Sequence, residues 1–339
     1  MAAEEARLKW TPGLVANLIV VAALVGTGFL MMYYFSYKPL KAEGSAELDY
    51  VIHHFSLSST MWWREFLALA FDILIIAVAI VGAWWTLGSF AAFAPEFRRW
   101  RNYYKSEEGK RDVWVEKFTL WQRIQHIWLF STLIVCAYTG IVMNLGNNPY
   151  WKFLYFGSRD AFVKAHVISG LLMGVLLIFH FAYYGVRILI SLIRREPVME
   201  KYPILQFWRL WTFLKTLWGC LLWFVGLRPK RPVRDKYNPE ELFEYWGVYW
   251  GILVLGIPGA FMAVFGPKFL NGVFWITHVK EAILAIVYLW MVHIASGHFR
   301  PTDFPINTTF IHGKMPLERV KDEHPLWYER LRRELGVAP

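Results

Sequence analysis

The stretch AHVISGLLMGVLLIFHFAYYGV, residues 165–186, carries no charged side chain and two histidines. As a helix at about 1.5 Å per residue it would be about 33 Å long, enough to cross the ~30 Å hydrocarbon core of a bilayer. Similar runs recur from Gly13 to Phe35, Phe66 to Ala94 (interrupted by Asp72), Ile124 to Leu145, Tyr245 to Phe265, and Phe274 to Ser296, with Lys280 and Glu281 near its start. They account for a composition that is 56% hydrophobic and 18% aromatic against 18% charged, which excludes an ordinary soluble domain. The expectation is an all-α integral membrane protein with six transmembrane helices. The first run is too long for a signal-peptide core and lacks a small-residue cleavage site, so it reads as an anchor.

The net charge of +10 follows the loops. Arg98, Arg99, Arg101, Lys105, Lys110, Arg111 and Lys117 separate the second and third runs, and Arg194, Arg195, Arg228, Lys230, Arg231 and Arg234 separate the fourth and fifth. Basic loops stay cytoplasmic, so both termini are expected inside a cytoplasmic (inner) membrane, and the charge reports topology and anionic lipid rather than nucleic acid. The segment from Ile204 to Leu227 is apolar but broken by Arg209 and Lys215 and rich in tryptophan. It reads as an interfacial amphipathic helix. With only Cys136 and Cys220, the chain alone can build neither a disulfide scaffold, an iron–sulfur cluster nor a CxxCH haem attachment.

Chemistry then falls to the histidines. His166 and His180 are fourteen residues apart on the fourth run, a net rotation of about −40° and a rise of about 21 Å, so they share a face at two membrane depths. His278 and His293 on the sixth run are fifteen apart, about +60° off register as α-helix. The third run adds His126, with Gly140 on the same face to admit a ring edge, and Gly170 and Gly174 follow His166. Histidines at matched depths can grip two stacked iron porphyrins through neutral imidazoles. Alternatives stay open at this point: a proton or substrate transporter, or histidines that merely pack and hydrogen-bond. His298, five residues past His293, points about 140° away in an α-helix and is not expected as a ligand. Asp72 in the second run is a costly membrane carboxylate whose partner is either Lys280 or another subunit. His53 and His54 read as solvated outer-loop residues.

These residues also carry a resemblance. Arg123-Ile-Gln-His126 with Cys136-Ala-Tyr-Thr-Gly140, then His166-Val-Ile-Ser-Gly170, Lys236-Tyr-Asn238, the pair His278 and His293, and the tail His324-Pro-Leu-Trp-Tyr328 resemble the cytochrome b (gamma) subunit of respiratory formate dehydrogenase. That family is similar in turn to the hydrogenase and thiosulfate-reductase b-type subunits. The resemblance runs from about Val113 to Leu335 and implies two parts: residues 1–112 with two extra helices and a basic loop, and residues 113–339 as a four-helix di-haem cytochrome b domain. It implies two haem b, the outer held by His166 and His278 and the inner by His126 and His293.

The family has 14 rather than 15 residues between the last two ligands and no counterpart of His180. The spacings taken together also resemble bc-type cytochrome b, in which His180 would be the inner ligand. A quinone, menaquinone or ubiquinone, is implied beside the inner haem at Asn238, although the family's glycine two positions later is Glu240 here. Arg300 stands where it could pair with haem propionates, or serve as a positive-inside flank. The implied partners are an extracytoplasmic redox subunit, iron–sulfur or multihaem cytochrome c, and the catalytic subunit of a respiratory oxidoreductase.

Overall fold

A computed structural model describes residues 8–145, 153–155 and 157–335. The principal helices are α1 (Pro12–His53), α2 (Thr60–Lys105), α3 (Leu120–Leu145), α4 (Arg159–Ile193), α5 (Leu210–Phe224), α6 (Pro239–Phe265), α7 (Phe269–His298) and α8 (Pro325–Leu335). All but α5 and α8 are long and apolar enough to cross a membrane, so the protein is an all-α, multi-pass membrane protein with six candidate spans among the described residues. Side-chain hydroxyls start three of them: Thr11, Ser59 and Ser158 accept the backbone N–H of Leu14, Trp62 and Ala161 at 3.2 Å each. Each hydroxyl satisfies one of the donors that a helix start leaves free.

The apolar core lies among α1, α2 and α7. Val21 and Val25 of α1, Ile75, Ala79 and Ala83 of α2, and Val287 and Met291 of α7 are buried together. Gly28 makes the close approach possible, because a Cβ there would strike the Met291 side chain. The second core component is ionic. Asp72 of α2 pairs with Lys280 of α7, both buried, and the Lys280 ammonium also donates to the Phe35 carbonyl at 3.2 Å. Pro39 has no N–H to offer that carbonyl, which lies in a π-helical turn over Tyr33–Tyr37. Asp72 is therefore satisfied within the chain.

A second π-helical segment, Leu289–His298, forms the end of α7. Within it the Met291 carbonyl accepts from the Thr86 hydroxyl of α2. By contrast α3 packs along α4 and α6 along α7, while much of their apolar surface, such as Ile134, Ile178 and Val264, stays exposed.

Helix α5 is amphipathic: Phe213, Cys220 and Phe224 turn inward, Trp211 and Trp218 outward. Phe224 meets Trp85 of α2 edge-on at 4.8 Å. At the same end, β1 (Trp114–Glu116) pairs antiparallel with β2 (Lys314–Pro316). Below it, Arg300 and Arg319 interlock with Asp303 and Glu323 in a buried ionic cluster. Glu323 is held well below the usual carboxylate range by the Arg300 and Arg319 guanidinium groups, which outweigh the opposing effect of burial. The tail motif is a clasp. His324 is fully buried, its Nδ1 on the Asp235 carbonyl at 2.7 Å and its Nε2 3.4 Å from Lys117 Nζ, and burial with the nearby lysine lowers its pKa to about 3.

Candidate cofactor site

The spans bring the histidines together in two groups. His166 of α4 faces His278 of α7 with ring centroids 5.9 Å apart. Toward the other end of the bundle, His126 of α3 faces His293 of α7 at 6.1 Å. His298 completes the second group, 6.1 Å from His126 and 5.0 Å from His293, so that one ligand atom from each of the three lies within 4.8 Å of the others.

Two features of α7 differ from expectation for one reason. A π-helix needs about 4.4 residues per turn, so five steps through it advance roughly 50° net rather than 140°. His298 is thus carried onto the face of His293. The same widening offsets the extra residue between His278 and His293, bringing them to within roughly 30° of one face.

In three of these histidines a partner at Nδ1 fixes the tautomer. His166 Nδ1 donates to Thr139 Oγ1 at 2.9 Å, and the Thr139 hydroxyl in turn donates to the Val135 carbonyl at 2.6 Å. His278 Nδ1 donates to the Leu255 carbonyl at 2.8 Å, one turn before Pro258 interrupts the hydrogen bonding of α6. His293 Nδ1 meets Glu244 Oε2 at 2.9 Å. In all three the Nε2 lone pair is left for a ligand, and a partner at Nδ1 is the usual outer contact of a metal-binding imidazole. Among the described residues, His126 Nδ1 and His298 Nδ1 are buried without a partner.

Space for a flat group follows from small residues. Ideal Cβ positions at Gly140 and Gly259 lie 3.3 Å from Cε1 of His166 and of His278, whereas Gly170, Gly174, Gly247 and Gly256 face open space. Gly140 therefore makes room for the His166 imidazole rather than for a ring beside His126. The spacing also suits a metal: two imidazoles bound through ~2 Å metal–nitrogen bonds on opposite sides of one ion have ring centres about 6 Å apart. The residues present fit two bis-histidine metal groups.

No protein-family model matches this chain, and no curated protein matches it.

His180 belongs to neither group. Its Nδ1 meets Gln125 Oε1 at 2.6 Å, its Nε2 meets the Tyr245 hydroxyl, and the Tyr249 and Tyr184 rings flank it at 4.5 and 4.7 Å. Arg300 is not free for an outside anion: it binds Asp303 at 3.1 Å and Glu323 at 2.9 Å over the Phe93 ring. Asn238 is buried ahead of α6, and its backbone N–H donates to Glu241 Oε2 at 2.8 Å, which gives it a structural part as the residue that begins the helix. Of the acidic run there, Glu241 binds Lys117 at 2.6 Å, Glu240 lies 3.5 Å from Arg234, and Glu244 alone reaches a histidine. His53 and His54 are exposed. The sequence gives no sign that Glu244 partners a histidine, and a 100° helical step turns His298 away; the fifteen-residue spacing of His278 and His293 was the available sign of an irregular helix.

Proposed function

We propose that this chain is a di-haem cytochrome b that carries electrons across a cytoplasmic membrane between an extracytoplasmic redox partner and the quinone pool. The observation that carries the reading is the Nδ1 pattern: three of the four facing histidines spend Nδ1 on a neighbouring helix and keep Nε2 for a metal, in two pairs of matching separation. His166 and His278 would hold the outer haem, His126 and His293 the inner one. Bound there, the haems supply one-electron redox chemistry.

The chain's own residues orient the imidazoles, exclude water with Phe130 and Phe310 beside His126, and place Glu244 against His293. The basic end, with both termini, would face the cytoplasm. There Asn238 would help bind the quinone, and the catalytic subunit would be a separate chain, in line with the resemblance to formate dehydrogenase gamma subunits. The transporter alternative predicts spans unwound near the membrane midplane, whereas the non-helical residues of α7, Leu270 and Asn271, lie at its very start.

One observation favours a second reading. His126, His293 and His298 together could hold a single metal ion as a three-histidine site. A pyridine haemochrome assay with metal analysis on the purified protein separates the two. Two protohaems per chain are expected, with His278→Ala losing one and His293→Ala the other; metal without haem would establish the second reading and end the first.

A further inference from the structure

A cavity of about 650 Å³ opens among α1, α2 and α7 at the end of the bundle that holds His166 and His278. Its walls include the Tyr34, Tyr50 and Trp275 rings, and its floor is the Asp72–Lys280 pair. The size is that of small-molecule sites, which are typically apolar with a few polar groups in fixed places. Glu47 projects into it with no cation within 4 Å among the described residues, and its Oε2 is buried without any hydrogen-bond partner. A carboxylate oxygen left so is costly unless a ligand donor reaches it.

We propose that this cavity binds a quinol headgroup, with Glu47 accepting the proton of one quinol hydroxyl. The electron-transfer half of this inference rests on the haem reading above; the binding half does not. The aromatic walls suit a flat ring, and Glu47 and the Lys280 ammonium offer an acceptor and a donor to its two oxygens. A cationic amine would meet Lys280 and Arg64, and a phosphate would meet Glu43, Glu47, Glu65 and Asp72.

Ile276, Val279 and Lys280 line the cavity from α7, and His278 lies on another side of that helix, whose diameter with side chains is about 10 Å. Oxidation there would balance as one quinol giving one quinone, two protons and two electrons: both O–H bonds break, the protons leave through Glu47 toward the open rim, and the two haems that the histidine pairs would hold would supply the one-electron acceptors. The charged groups facing Glu47 are Glu43 on its own helix, Glu65 and Asp72 on α2, and Lys280 on α7.

The test uses the full chain in detergent, with menadione binding measured by equilibrium dialysis and haem reduction by menadiol followed optically. Ala46→Trp, which fills the cavity from α1, is expected to weaken menadione binding at least tenfold and to slow menadiol-driven reduction equally, with haem content and the dithionite-reduced spectrum unchanged. Glu47→Gln is expected to keep menadione affinity within about twofold, to slow reduction about tenfold and to abolish its rise with pH. Wild-type binding in Ala46→Trp, wild-type reduction rates in both variants, or displacement of menadione by benzylamine would overturn the proposal. Should the protein carry no haem, the dialysis arm still decides whether the cavity binds the ring.

Discussion

Replacing Lys280 by methionine would leave Asp72, 2% exposed in the first third of α2, facing an apolar side chain. Removing one partner of a buried ion pair costs about 3–5 kcal/mol, because the remaining charge has neither water nor counter-ion. Since an orphaned carboxyl can neutralise itself by taking up a proton, the low end applies, about 3 kcal/mol, or more than a hundredfold in the unfolding constant. The Phe35 carbonyl loses its donor as well, adding about 1 kcal/mol. Asp72→Leu combined with Lys280→Met removes both charges, and the double variant should lie within about 1 kcal/mol of the parent once the Phe35 term is counted. Unfolding in mixed micelles titrated with dodecyl sulfate and followed by near-ultraviolet circular dichroism measures all three proteins. Single variants that each cost under about 1 kcal/mol, with effects that simply add in the double variant, would refute the claim that this pair ties α2 to α7.

Thr139→Val removes the acceptor at His166 Nδ1 and should shift the midpoint potential of the outer haem alone, with ligand affinity falling 10- to 100-fold, as potentiometry with optical detection can read. His180→Phe should leave two low-spin haem signals, since both its nitrogens are spent on Gln125 and Tyr245; loss of the inner signal would return His180 to the ligand set. His324 stays neutral in the fold down to about pH 3 but is protonated below about 6.5 when unfolded, so stability should be full above pH 6.5 and decline as pH falls from there toward 3. At pH 5 the loss is about 2 kcal/mol, and thermal melts of His324→Gln should show a correspondingly flatter pH dependence over that window.

The spans were legible because apolar runs of about 20 residues or more with at most two charges announce them, and His166, His278, His126 and His293 were legible as a group because their spacings repeat. Helix ends were less so. α1 continues past Phe35 to His53 because its polar continuation, with Lys41, Glu43 and Glu47, remains good helix without being apolar. The π-helical end of α7 could not be read from a 100° periodicity, so His298 was turned to the wrong face. Arg300 looked available only because its partners Asp303 and Glu323 come from irregular backbone and the tail. Glu240 and Glu241 stand where helix-start charge is favoured, but Glu244, one turn further in, turns to His293 instead, which the run of acidic residues does not announce.

The core among α1, α2 and α7 has a consequence for how the protein is made. The first two spans leave the ribosome long before α7, whose Val287 and Met291 complete their packing. Until about residue 298 has been synthesised and inserted, Asp72 waits in the membrane without Lys280, and α3, α4 and α6 must be threaded in between. Assembly is therefore closed by its last span. A nascent chain arrested before α7 would carry an uncompensated membrane carboxylate, a mark by which a membrane-bound protease can distinguish unfinished molecules from finished ones.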